Sequence, residues 1–219
     1  QAMFVRHFMS VDVIVVEAHT SCREAWRGFQ SHKLRRAPVV EGGKLVGMVT
    51  EGDLARALPR NVGELEADTE AGSDAAVVAR VMSSPAISIG PGEHLEDAAR
   101  LMLKRKIGGL PVIEAGALVG IITESDIIRA FLRMSAMGAS VRITIEAAAE
   151  GPERPRGSPI ELALQQGCSV QSFFCYPVRA GRWMGLLRVQ GGACELLVQE
   201  LWSSGWTVLE VVSGSRRAA

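Results

Sequence analysis

One part of this 219-residue chain maps onto another at a single constant offset. Met9-Ser10 returns as Met82-Ser83, Pro38-Val39 as Pro111-Val112, and Val46 to Asp53 as Val119 to Asp126. From Met9 to Ala57 the copies align without a gap, and 18 of the 49 positions are identical. Most differences in the apolar stretches exchange one aliphatic side chain for another, as Val40 for Ile113 or Leu54 for Ile127. Self-similarity of this kind constrains the fold before any single element does, because the same supersecondary unit must appear twice.

Each copy reads as β-α-β-β-α. A short extended stretch (Ile14-Val15-Val16; Ile87-Ser88-Ile89) leads into a helix. Its apolar positions fall at helical spacing: Cys22, Ala25, Trp26 and Phe29 in one copy, Leu95, Ala98, Ala99 and Met102 in the other. Two strands follow, joined at Glu41-Gly42-Gly43-Lys44 and at Glu114-Ala115-Gly116-Ala117. Glycine there supplies the backbone freedom of a tight hairpin. A second helix opens near Glu51 and Glu124. The first copy is assigned residues 3–62 and the second 78–134; residues 63–77, acidic and rich in small side chains, read as a linker.

The pattern changes after Phe131. Ser135 to Ala139 reads as a short linker, and residues 140–213 as a separate domain. Val141 to Glu146 alternates apolar and polar, as a half-buried strand does. Ser158-Pro159-Ile160-Glu161 combines an N-cap serine, proline at the first helical position and a glutamate that completes a capping box. Gly167 ends that helix. Strands at Val170 to Tyr176 and Trp183 to Val189, a helix carrying Cys194, Leu197, Val198 and Leu201, a stop at Gly205 and a strand from Trp206 to Val212 complete the order β-α-β-β-α-β. That is the ferredoxin-like order. Trp183, Trp202 and Trp206 are expected in a core or an interface.

Several function classes are disfavoured. Lys+Arg 24 balance Asp+Glu 24, so no global field attracts nucleic acid or an anionic membrane. No apolar run approaches the ~18 residues of a membrane span. Cys22, Cys168, Cys175 and Cys194 are scattered without a pairing pattern, which suits a reducing compartment. Gln1-Ala2 ahead of Met3 reads as an appended remnant, and the expectation is a soluble, cytoplasmic protein. His7, His19, His32 and His94 show no metal-ligand spacing, and no nucleophile or phosphate-loop motif occurs, so no enzyme, cofactor or metal is expected.

The repeat does carry binding chemistry. Thr50 and Asp53, and again Thr123 and Asp126, stand three apart where a strand ends and a helix begins. Helix starts favour anions, a carboxylate can accept from a ribose diol, and a threonine hydroxyl can donate to phosphate. Equally, Thr and Asp there can simply cap the helix.

Hydrophobic-Pro-Val followed by Gly-φ-φ-Thr-x-x-Asp, twice, resembles the CBS domain, and the tandem resembles a Bateman module with two clefts. The resemblance covers the two repeats, more than half of the chain. It implies that Thr50, Asp53, Thr123 and Asp126, with Ile14 and Ile87, hold an adenosyl nucleotide such as AMP, ATP or S-adenosylmethionine. It also implies that basic residues before Pro-Val reach the phosphates. Copy one has Arg35-Arg36 there and copy two Gly108-Gly109, so phosphate-binding chemistry is present once. Lys33 and Lys106 read as solvated helix ends answering the dipole.

Residues 140–213 resemble an ACT domain, whose amino-acid effectors lie at the loop after the first strand. Here that loop contains Arg154, Arg156, Gly157 and Ser158 and departs from the family's commonest Asp-x-Pro-Gly form. CBS–CBS–ACT is the layout of the acetoin-utilisation family. The expected architecture is thus α+β, a CBS pair followed by a ferredoxin-like, ACT-like domain. The expected function is a nucleotide sensor, a homodimer acting on itself or on an unknown protein partner. The alternatives are a scaffold that binds no ligand and an amino-acid sensor.

Overall fold

The computed structural model describes residues 3–58, 76–134, 140–149, 151, 154–178 and 181–213. Two units divide the chain, residues 1–128 and 129–219.

In the first unit, β1 (Val16–Glu17) is a two-residue strand parallel to β2. Ser21 accepts the Glu24 N–H and so starts α1 (Cys22–His32), which buries Cys22, Ala25 and Phe29 along one face. Lys33 ends it in the left-handed region, at φ 53°. β2 (Arg36–Glu41) and β3 (Lys44–Thr50) form an antiparallel hairpin. Gly42 and Gly43 both take positive φ, the backbone that matches a two-residue turn to strand twist. α2 (Glu51–Ala57) closes the repeat. Phe29, Val39, Val49 and Leu54 meet in its core.

The second repeat has α3 (Leu95–Arg105), β4 (Gly109–Glu114), β5 (Ala117–Thr123) and α4 (Glu124–Met134). Its geometry is that of the first, moved along the chain by one repeat. Arg36 opposite Thr50 becomes Gly109 opposite Thr123, and the bulge between Val39 and Val40 recurs between Val112 and Ile113. Lys106, at φ 55°, repeats the left-handed stop of Lys33. The extended stretch expected at Ile87-Ser88-Ile89 contracts to one bridge, Ile89 with Val112.

The segments ahead of each repeat are exchanged. Ser10 of the first copy trades two hydrogen bonds with Ile121 of the second, both 2.9 Å; Ser83 of the second trades two with Met48 of the first, at 2.8 and 3.0 Å. Phe4 bridges to His94, and Val77 to Ser21. Ser10 and Ser83 are equivalent positions of the two copies, as are Met48 and Ile121, so the exchange is pseudo-twofold. Ala76 and Val77, at the end of the stretch read as linker, already pair with the first repeat: the Ala76 carbonyl accepts from Cys22 at 2.9 Å. The rest of that stretch up to residue 75 lies outside the described residues.

The second unit is β6 (Val141–Ala148), α5 (Pro159–Gln165), β7 (Ser169–Pro177), β8 (Arg182–Gln190), α6 (Cys194–Ser203) and β9 (Thr207–Ser213). The sheet order is β7-β8-β6-β9, with every neighbour antiparallel. Ile143, Ile145 and Ala147 point into the core while Arg142, Thr144 and Glu146 alternate outward. Ser158 and Glu161 form the capping box ahead of α5, and Leu162, Leu187, Leu197 and Leu201 fill the interior. Trp206 packs against that core. Trp183 and Trp202, expected in a core or an interface, are 41% and 57% exposed. Residues 135–139, read as a linker, lie outside the described residues. Among the described residues no helix is long and apolar enough to cross a membrane.

Candidate functional site

Thr50 is the last residue of β3 and the N-cap of α2, so its side chain and that of Asp53 are fixed on one helical turn. The Thr50 hydroxyl donates to Asp53 Oδ2 at 2.6 Å, the Thr50 N–H donates to the same oxygen at 3.0 Å, and the Asp53 N–H donates back to Thr50 Oγ1 at 3.2 Å. Arg56 binds the other carboxylate oxygen. In the second repeat the Thr123 hydroxyl and N–H donate to Asp126 Oδ2 at 2.6 and 2.9 Å, and Asp126 is buried, 7% exposed. The full capping box forms in the first copy, and its carboxylate half recurs in the second. Neither threonine hydroxyl points its proton outward, so a ligand phosphate would have to draw it from the aspartate. The Asp53–Arg56 pair competes weakly with a ligand diol, because Arg56 is 74% exposed and exposed ion pairs contribute at most about 1 kcal/mol. Thr50→Ala should lower folding stability by about 0.5–2 kcal/mol without any ligand, through loss of the N-cap. Urea unfolding of the two proteins checks this.

The two copies differ where Arg36 stands. Its backbone lies opposite Thr50, but its side chain crosses into the second repeat. A Cβ on Gly108 would lie 2.7 Å from Arg36 Cζ; one on Gly109 would lie 2.9 Å from Arg36 Cδ and 3.3 Å from Thr123 Cγ2. Gly108-Gly109 is thus the bed on which the arginine rests, beside Thr123, and the space it leaves is already filled by protein. Burial pulls the Arg36 pKa below its ordinary value; the Glu124 carboxylate opposes that shift and Arg35 adds to it. Arginine remains charged nonetheless. Arg35 is exposed, and its carbonyl accepts from Glu51 at 3.0 Å. Ile14 is exposed ahead of β1, and Ile87 is half-buried in the equivalent place. Which Thr/Asp pair Arg36 would join is invisible in the sequence; the structure sets it against Thr123.

The second unit holds a cavity of about 240 Å³. Ala147 and Ala148 of β6, Arg154 and Pro155 of the following loop, Trp183 and Trp206 form its walls. The loop is pinned by Arg156, whose N–H donates to the Ser204 carbonyl at 2.7 Å, and by Pro155 resting on Gly205. The Trp206 indole N–H is buried without a hydrogen-bond partner. Of the loop residues singled out by sequence, Arg154 and Gly157 line the cavity; Ser158 is engaged in the helix cap, and Arg156 is exposed and does not line it. The two tryptophans were missed because residues 183 and 206 are far from the loop in sequence. No group of three or more His, Cys, Asp or Glu able to hold a metal ion occurs among the described residues.

The CBS domain family matches residues 5–60 and 78–133. The CBS domain-containing protein YhcV of Bacillus subtilis is 32% identical over 123 residues, covering 56% of this chain and 81% of that one. The inosine-5′-monophosphate dehydrogenase of Korarchaeum cryptofilum is 35% identical over 121 residues, 55% of this chain and 22% of the relative. Among solved structures, the CBS domain pair of protein MJ0100 in complex with 5′-methylthioadenosine and S-adenosyl-L-methionine superposes at TM-score 0.51 and 28% identity. It covers 61% of this chain and 98% of that one. CBSX2 in complex with AMP gives TM-score 0.51 and 32% identity, over 61% and 99%; CBSX2 comes from Arabidopsis thaliana. AcuB from Vibrio cholerae gives 0.50 and 27%, over 61% and 93%.

Proposed function

The chain belongs to the CBS domain family, and from that membership we propose a cytoplasmic regulatory protein that binds an adenosyl nucleotide between its repeats. It signals through its own dimer or a protein partner. The observation that carries the reading is Arg36, a cation laid across Gly108-Gly109 beside Thr123 and within the field of Glu124. A planar guanidinium next to a Thr/Asp helix start is the donor set that a nucleotide phosphate uses. The adenosyl ligands in the MJ0100 and CBSX2 structures support the same chemical class. Thermal unfolding with AMP, ATP, S-adenosylmethionine and NAD tests it. A ligand at about 100 times its dissociation constant adds roughly 2.7 kcal/mol to stability. No shift with any of them would leave a ligand-free scaffold as the reading.

A second reading concerns residues 140–213, and the cavity favours it. β-α-β-β-α-β with strand order β7-β8-β6-β9 is the arrangement of a ferredoxin-like, ACT-like domain. Apolar walls, the Arg154 cation and an unpartnered indole N–H suit a small carboxylate with an apolar body, such as an amino acid. On that reading the layout resembles the acetoin-utilisation CBS–ACT family. Calorimetry against a panel of amino acids should find one whose affinity falls about tenfold or more in Arg154→Ala, the loss of one charge-assisted hydrogen bond. A panel without heat, or an unchanged affinity, would leave this domain as a silent dimerisation unit.

A further inference from the structure

Twenty-six positions separate Cys168 from Cys194 in sequence, yet the fold brings the turns that carry them into contact. Cys168 follows the turn after α5 and is buried in the core of the second unit. Cys194 is the first residue of α6 and packs, half-buried, on the same core. The turns that carry them touch along the backbone. The Ala193 N–H donates to the Gln166 carbonyl at 3.2 Å, and a Cβ on Gly192 would stand 2.7 Å from the Cys168 nitrogen. At Gly192 the backbone has positive φ, so this close approach is possible only without a side chain. The two thiols, both free in this structure, are carried on these touching turns, and Cys194 Sγ donates to the Gly191 carbonyl at 3.5 Å.

We infer that Cys168 and Cys194 form a reversible disulfide, a redox-sensitive clamp between the α5–β7 turn and the head of α6. The pair lies in the second unit, apart from the nucleotide reading, and does not depend on it. With hydrogen peroxide as oxidant, the Cys194 thiolate attacks one peroxide oxygen and the O–O bond breaks. The departing hydroxide takes a proton and leaves as water, and Cys194 becomes a sulfenic acid. The Cys168 thiolate then attacks that sulfur; the S–S bond forms, the S–O bond breaks, and a second water leaves. Two thiols are oxidised by two electrons in total, and one peroxide is reduced by two. The order follows from access. Burial pushes the Cys168 thiol up, and its contact with Cys194 adds to the shift, so it is a poor first nucleophile. Cys194 is the one that oxidant reaches.

The test uses the full chain carrying Cys175→Ser, which removes the exposed thiol on β7. After titration with hydrogen peroxide, intact mass should fall by two hydrogens. Non-reducing peptide mapping should find Cys168 joined to Cys194, with Cys22 still free. Dithiothreitol should reverse both changes, and the oxidised protein should unfold at a higher temperature than the reduced one. Cys194→Ala, which leaves the buried Cys168 in place, should give no linked peptide. Cys194 proceeding to sulfinic acid while Cys168 stays a thiol, or a link that runs to Cys22, would overturn the assignment.

Discussion

Arg36→Ala is expected to weaken AMP binding by about tenfold or more while leaving adenosine nearly unaffected. A charge-assisted hydrogen bond to phosphate contributes roughly 1.5–3 kcal/mol, and about 1.4 kcal/mol is one decade of affinity. Adenosine has no phosphate for the guanidinium to meet. The same geometry sets the stoichiometry. Thr50/Asp53 and Thr123/Asp126 duplicate the helix-start chemistry, but Arg36 has no counterpart at the equivalent position of the other copy, which is Gly109. One phosphorylated nucleotide per chain is therefore expected, with the other cleft empty or preferring a ligand with little phosphate. Since Arg36 rests beside Thr123, Asp126→Asn should reduce AMP affinity and Asp53→Asn should spare it. Calorimetry reads all of these. Two equal sites, or an Arg35→Ala/Arg36→Ala protein that binds AMP as the parent does, would refute the assignment.

The second large effect is on the joining of the repeats. Gly47 and Gly120 stand where the exchanged segments cross: a Cβ on Gly47 would lie 2.9 Å from the Ser83 carbonyl oxygen, and one on Gly120 would lie 3.0 Å from that of Ser10. The Met82 and Met9 sulfurs, 2.6 and 2.7 Å away, can move, but the carbonyls behind them belong to backbone held by two hydrogen bonds on each side and cannot swing away. Gly47→Val and Gly120→Val should each lower stability by about 1–3 kcal/mol through overpacking. For a chain of this size the melting temperature falls roughly 2–4 °C per kcal/mol. Gly28→Ala is the control. It sits inside α1 with nothing within 4 Å of its added Cβ, and alanine there should stabilise by about 0.5–1 kcal/mol. Calorimetric melting that showed no loss in either valine variant would mean that the exchanged segments do not hold the repeats together.

Much of the candidate site was legible because its parts are local. Thr-x-x-Asp at a strand end is a capping signal that needs only four residues, and in both copies the Asp carboxylate accepts the Thr N–H. Lys33 and Lys106, read as helix ends, are helix stops in the left-handed region. What failed was anything that depends on a distant neighbour. Gly108-Gly109 reads as open backbone until Arg36 is seen lying across it. Four scattered cysteines show no pairing until two turns bring Cys168 and Cys194 together. Trp183 reads as a core or interface residue, and only the fold places it in one cavity wall with Arg154 and Trp206.

The repeat, the order of elements and the paired Thr/Asp helix starts follow from local sequence alone. Helical and strand periodicity, turn glycines and capping residues act over a few positions, and they are written twice at one constant offset. Packing between the repeats sets each leading segment against the opposite repeat and lays Arg36 over Gly108-Gly109 beside Thr123, and the second fold brings the turns of Cys168 and Cys194 into contact. The physical reason is common to all three. Repetition states which residues are equivalent, but a pseudo-twofold packing decides which equivalent residues meet, and where arginine faces glycine across that axis only one side chain can occupy the space.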